Sequence, residues 1–178
     1  KLHKKKIYNP YFNNQGNLSN LSFILKFGKI NKLNPQNIIK TVNLFCGLKY
    51  RQEIIFQKKG ITIINDSKST SFSSSINLLK SYKNIYWLIG GKHKKGDKFN
   101  LEKKYCKNIK AYIFGEEKFF FKKNLKKKIK FQTFDNIKKA LKKIIFDLNE
   151  SKLKNLNILF SPAAASFDKF KNFEDRGK

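Results

Sequence analysis

The chain has 178 residues, enough for one full domain and part of another. Its formal charge of +28 would ordinarily raise nucleic acid as a partner. However, 38 of the 40 basic residues are lysine, with Arg51 and Arg176 the two arginines, so the planar fork that suits base readout is nearly absent and no specific nucleic acid is expected. Residues 1–16 are polar, aromatic and ambiguous. Residues 17–29 and 35–45 read as two helices, with Pro35 in a first-turn position. Residues 53–57 and 61–64 read as short strands joined across Lys58-Lys59-Gly60, most simply a hairpin. Helix and strand then alternate: helix 73–82, strand 85–89, short helix 101–106, strand 111–114, helix 117–124, strand 129–134, helix 136–149 and strand 158–160. Repeated βα units predict an α/β fold, a Rossmann-like and mainly parallel sheet with helices on both faces.

The lysines fall where solvation accounts for them. In residues 136–149, Ile137, Ala140, Leu141, Ile144, Ile145 and Leu148 make one helical stripe, while Lys138, Lys139, Lys142 and Lys143 lie largely off it. The lysine-rich run 121–130, interrupted by Leu125 and Ile129, reads as a solvated surface. Lysine, asparagine, isoleucine and phenylalanine are abundant together, as translation of an A+T-rich genome would produce. There is no signal peptide and no run of about 18 apolar residues, so nothing supports secretion or a membrane span. Cys46 and Cys106 form no metal-ligand pattern and fit two reduced thiols in a cytoplasmic protein. The chain has no methionine and opens on Lys1, from which a fragment cut at both ends is expected.

Three strand ends carry the chemistry. The apolar run 61–64 ends in Asn65-Asp66-Ser67-Lys68-Ser69-Thr70. The run 85–89 ends in Gly90-Gly91, then Lys92-His93-Lys94-Lys95-Gly96-Asp97. The run 156–160 ends in Ser161-Pro162, three alanines and a segment with helix-like spacing up to Gly177. Ligands of α/β sheets bind at strand ends, where backbone N–H groups and hydroxyls converge. Carboxylate, ammonium, hydroxyl and glycine-backbone groups together suit a site for phosphate and carboxylate ligands.

These segments, with Tyr50-Arg51-Gln52-Glu53, resemble the Mur ligases of peptidoglycan precursor synthesis, and within that family the branch that adds D-glutamate. The motifs fall in the family's order. The resemblance implies a C-terminal Rossmann-like, D-glutamate-binding domain over residues 47–178, preceded by a helical remnant of the central ATP-binding domain over residues 1–46. It implies ATP-driven amide formation, with the carboxylate of UDP-N-acetylmuramoyl-L-alanine activated as an acyl phosphate before the D-glutamate amine attacks. ATP, D-glutamate and UDP-N-acetylmuramoyl-L-alanine are then the ligands, Mg²⁺ is held mainly by residues outside this chain, and a monomer is expected. Carried over residue by residue, Asp66 and Lys68 act catalytically on the ATP side, with Arg51 near the nucleotide and Asn17 and Asn20 near the adenine. Thr70, Lys94, Ser166, Phe167 and Phe173 hold D-glutamate. Lys92 and Lys95 are as available as Lys94, and His93 reads as a loop histidine. Gly16 stands where the family has histidine in Gly-x-His-Asn-x-x-Asn, and Ser71 where it usually has asparagine. These departures keep open a decayed, inactive ligase remnant, and the charge keeps open a basic nucleic-acid-binding domain. The chain alone is expected to be inactive, since the family's phosphate-binding loop is not in it.

Overall fold

The computed structural model describes residues 7–167 and 169–178. The first six residues of the expected ATP-domain remnant and Asp168 of the last motif lie outside the described residues. The chain divides into two units, Lys1–Leu48 and Lys49–Lys178.

In the first unit a 3-10 turn over Pro10–Asn13 precedes α1 (Gln15–Ile30) and α2 (Pro35–Leu44). Asparagine starts all three elements. Asn9, Asn14 and Asn34 each accept backbone N–H groups through the side chain, as N-cap residues do. The Asn14 cap is why α1 begins two residues before the expected start. Asn9 also donates to Val42 O at 2.8 Å and Phe45 O at 2.7 Å, tying the 3-10 turn to the end of α2. Phe12, Leu21 and Val42 form the buried core, with Tyr11, Leu25 and Ile38 against it.

The second unit is one six-stranded sheet in the order β1-β2-β6-β3-β4-β5. Its strands are β1 (Glu53–Lys58), β2 (Ile61–Asn65), β3 (Ile85–Gly90), β4 (Ile109–Phe114), β5 (Lys130–Phe134) and β6 (Leu156–Phe160). β1 is antiparallel to β2 across the two-residue turn Lys59-Gly60, whose φ angles of 51° and 76° are those a type I′ hairpin turn needs. All other neighbours are parallel. The helices are α3 (Phe72–Ser81), α4 (Lys103–Cys106), α5 (Lys118–Leu125), α6 (Ile137–Glu150) and α7 (Phe173–Gly177). From β2 to β5 the chain steps one way across the sheet; from β5 to β6 it steps back. Crossovers of constant hand put helices on opposite faces when the direction reverses. Accordingly, Phe72, Leu78 and Leu79 of α3, Cys106 of α4 and Phe121 and Leu125 of α5 pack with Trp87, Ile89, Ala111, Ile113 and Leu159 on one face. On the other face, Ala140 and Ile144 of α6 pack with Leu88, Tyr112, Phe114, Leu156 and Ile158.

Two expectations are corrected. The apolar stripe of α6 is narrower than expected: Ala140 and Ile144 are buried and Ile137 and Leu148 half-buried, while Leu141 and Ile145 face solvent. The single row spaced by three and four residues is all that reaches the sheet. The run 121–130 is not simply a surface either, because Phe121, Leu125 and Ile129 are buried in the core and only the intervening lysines are exposed. No described helix is long and apolar enough to cross a membrane.

Candidate active site at the strand ends

The reversal of chain direction leaves β6 between β2 and β3, and the C-terminal ends of these three strands form the crevice where such sheets bind ligands. Asp66 follows β2, and its N–H donates to Phe160 O at 2.7 Å. The residue is 6% exposed. Its Oδ1 accepts from Gln52 N–H at 3.2 Å, and Oδ2 lies 2.8 Å from Ser161 Oγ. Burial pushes the Asp66 carboxyl up to about 7, against the hydrogen bonds from Ser161 and Gln52 and the charge of Arg51. Tyr50 and Gln52 hold positive φ angles of 63° and 51°, rare for side chains of this kind. The bend they make wraps residues 50–53 around the turn: Tyr50 O accepts from Lys68 N–H at 3.0 Å, and Tyr50 N–H donates to Glu53 Oε2 at 2.9 Å.

The turn is anchored to α7 by its buried neighbours. Ser67 Oγ donates to Phe173 O at 2.7 Å and accepts from Arg176 Nε at 3.2 Å, while an Arg176 terminal nitrogen donates to Ser67 O at 2.7 Å. Asn65 Nδ2 donates to Gly177 O at 2.8 Å. Arg176 is 4% exposed, and its forked donors are what let one side chain serve both oxygens of Ser67. Lys68 Nζ lies 3.8 Å from the centre of the Phe173 ring, a cation–π contact. Thr70 is exposed, one residue before Ser71, the N-cap of α3.

Beyond β3 the backbone runs too close to its neighbours for side chains. A Cβ on Gly90 would stand 2.1 Å from Phe114 O, and one on Gly91 2.6 Å from Ala165 O. This approach lets Lys92 and Ala165 exchange backbone hydrogen bonds of 3.0 and 2.8 Å, which sets the loop beside buried Ser166. The loop is pinned at two points. His93 N–H donates to Glu117 Oε2 at 2.6 Å, its ring pairs with the same oxygen, and the ring stacks on Phe120 at 3.9 Å. Asp97 Oδ2 accepts the Phe72 N–H at 2.7 Å, and Asp97 N–H closes back on Lys94 O at 3.1 Å. Lys94 is exposed between the two anchors. Burial works against the Glu117 charge, but the bonds from His93 outweigh it and hold the carboxyl below its ordinary range.

Asp66, Lys68, Thr70, Lys94 and Ser166 thus stand at one end of the sheet, with Phe173 of α7 under Lys68. Arg51 is exposed near Asp66, and Phe167 is 72% exposed. Asn17 and Asn20 belong to the first unit. Asn17 is buried, with its N–H on Asn14 Oδ1 at 2.9 Å and its Nδ2 donating to Tyr11 O at 2.7 Å. Asn20 lines an apolar cleft of about 580 Å³ with Tyr11, Phe12, Ile38 and Phe45.

No protein-family model matches the chain. It is 35% identical over 162 residues to the UDP-N-acetylmuramoylalanine–D-glutamate ligase of Wolbachia sp. subsp. Brugia malayi (strain TRS), covering 91% of this chain and 32% of that protein. The ligase of the same name from Rickettsia bellii (strain RML369-C) is 33% identical, covering 91% of this chain and 36% of that protein. Over nine-tenths of its own length, then, the chain is similar to ligases of this name. It spans about a third of the length of the curated relatives it matches. Its fold is similar to that of two solved Mur ligases, MurF of Acinetobacter baumannii (TM-score 0.60, 16% identity, 82% of this chain and 34% of that one) and the UDP-N-acetylmuramate-alanine ligase MurC of Thermotoga maritima (TM-score 0.57, 18% identity, 84% and 35%).

The Mur ligase motifs did not single out Gln52, Ser69, Ser75, Ser161 or Arg176 as site residues. Ser69 Oγ lies 2.6 Å from Ser75 Oγ, which lies 2.8 Å from Ser161 Oγ beside Asp66. Trp87 Nε1 donates to Ser161 O at 2.7 Å. Ser75 had one legible signal: it is a serine on the line Phe72, Ser75, Leu79 that α3 buries.

Proposed function

We propose that residues 49–178 are the C-terminal, D-glutamate-binding domain of an ATP-dependent ligase that joins D-glutamate to UDP-N-acetylmuramoyl-L-alanine, and that residues 1–48 belong to the tail of its ATP-binding domain. The observation that supports this best is the meeting of three separate motifs at the ends of β2, β6 and β3, where the Lys92–Ala165 bridge sets the Lys94 loop beside Ser166. ATP supplies the phosphoryl group that activates the acceptor carboxylate. This chain's own residues bind and orient. The Lys94 ammonium and the hydroxyls of Thr70 and Ser166 suit the carboxylates of D-glutamate. Lys68, steadied on the Phe173 ring, places a positive charge beside the acidic reactants. Arg51, exposed near Asp66, offers a cationic fork that fits the nucleotide's phosphates, whereas the buried Asp66 oxygens are already engaged by Ser161 and Gln52. Asn20, beside the aromatic wall of its cleft, fits a purine, whereas the Asn17 amide nitrogen is already committed to Tyr11. Among the described residues no three of His, Cys, Asp and Glu gather as metal ligands.

In the complete polypeptide that carries this chain, Lys94→Ala and Ser166→Ala should each raise the KM for D-glutamate about ten- to a hundredfold, the loss of one charge-assisted hydrogen bond. The KM for ATP should stay near its original value. Steady-state kinetics with each substrate varied is the test. Absence of D-glutamate-dependent phosphate release, or indifference to both substitutions, overturns the reading.

A further inference from the structure

We infer that Ser69, Ser75 and Ser161 are positioning residues for Asp66, forming a hydrogen-bonded row whose direction follows the Asp66 proton and transmits that state to the start of α3. The row connects Asp66, on the proposed ATP side, with the segment around Thr70, on the proposed D-glutamate side. That functional bearing rests on the ligase reading; the row itself does not.

The argument is a proton count. Four links join five groups in line: Ser74 Oγ to Ser69 Oγ at 2.9 Å, Ser69 to Ser75 at 2.6 Å, Ser75 to Ser161 at 2.8 Å, and Ser161 to Asp66 Oδ2 at 2.8 Å. Each link needs one proton, and each hydroxyl has one to give. Ser74 Oγ also lies 2.7 Å from Ser71 O, a carbonyl that can only accept, so that contact takes the Ser74 proton. Ser69, Ser75 and Ser161 then supply three of the four link protons, and the fourth must come from Asp66. The neutral acid thus satisfies every contact at once, with the row running from Asp66 through Ser161, Ser75 and Ser69 to Ser74. When Asp66 loses its proton to water, Ser161 must turn to the carboxylate. Four hydroxyl protons then serve five contacts: keeping all four links of the row turns Ser75 and Ser69 after Ser161, and Ser74 gives its proton to Ser69 and releases Ser71 O. Only hydroxyl rotations are involved. The other acceptor open to Ser75, Ser161 O, is 3.4 Å away.

Burial, which already favours the neutral Asp66 carboxyl, acts in the same direction. The charged groups on the surrounding elements include Arg51 on the segment before β1, Glu53 at the start of β1, Lys68 on the same turn, Arg176 on α7 and Asp97, bonded to the first turn of α3. The end of β6 and the α3 turn itself present serines.

The test is a pH titration of the isotopically labelled 178-residue chain, following the Asp66 carboxyl carbon and the Ser71 amide, whose N–H donates to Ser74 Oγ. Both signals should move with one midpoint. In Ser75→Ala the Asp66 signal should still titrate while the Ser71 amide no longer follows it, and Ser75→Thr should restore the coupling. A Ser71 amide that is flat through the Asp66 titration in the unsubstituted chain overturns the proposal, whether or not the variants fold. So does one that keeps following Asp66 in Ser75→Ala. The spectra need no ligase activity, so this outcome and that of the kinetic test are separate.

Discussion

The turn after β2 and the loop after β3 leave the same end of the sheet, yet they are held by different means. The turn is held from within: Asn65, Asp66, Ser67 and Ser69 are buried and bonded to α7, β6, α3 and residues 50–52. The loop is held at its anchors, His93 on Glu117 and Asp97 on the start of α3, with Lys92, Lys94 and Lys95 left in solvent. The two carboxyls respond oppositely to pH as a result. Asp66 is raised in the folded chain, so its contribution to stability is full below the ordinary carboxylate range and is lost as pH rises towards about 7. Glu117 is lowered, so its contribution is present above that range and is lost as pH falls. One half of the site favours acid, the other neutrality.

The largest effect should come from removing that opposition. Asp66→Asn mimics the neutral acid, so it should abolish the fall in stability between about pH 4 and 7, a gain on the order of 4 kcal/mol at pH 7. Denaturant unfolding at several pH values would show it; a variant with the unchanged slope would mean Asp66 is not the group responsible. Gly91→Ala breaks the loop side. Its Cβ would meet Ala165 O at 2.6 Å with φ at 126°, and a loss on the order of 3 kcal/mol is expected in the same measurement. Arg176→Ala breaks the turn side by removing both donors to Ser67, at about 2 kcal/mol, and Arg176→Lys should fail to restore it for want of the fork. The smallest change in stability, about 1 kcal/mol, is expected for His93→Ala. That variant should nevertheless raise the D-glutamate KM of the proposed ligase, because it removes the ring's share of the anchor before Lys94 and leaves only the backbone bond to Glu117, whereas Lys92→Ala and Lys95→Ala should leave it alone.

The strand-end motifs were legible because each is a short contiguous run of residues with distinctive chemistry. The helix and strand alternation was legible because it depends on local periodicity. The place of β6 was not, since its insertion between β2 and β3 depends on pairings such as Ile61 with Leu156. The choice among Lys92, Lys94 and Lys95 was equally hidden. All three are exposed, and Lys94 and Lys95 both lie between anchors that span 24 residues from His93 to Glu117 and 25 from Asp97 to Phe72. The serine row escaped for a related reason: Ser75 and Ser161 are 86 residues apart, and a serine near a helix start reads first as a cap. Arg176 was visible as one of two arginines in a lysine-rich chain, though not what it holds.

The position of β6 also has a consequence for how the chain is made. Residues 53–134 can assemble a hairpin and a three-stranded sheet as they leave the ribosome, but the strand that joins them is synthesised later. Until it arrives, β2 and β3 each present an unpaired, isoleucine-rich edge, the kind of surface that recruits strands from other chains. Joining them closes contacts of long sequence separation, which is slow. The nascent chain therefore passes through an adhesive interval that ends only when residues 156–160 slot in, and the same event brings Ser161 to Asp66 and completes the crevice.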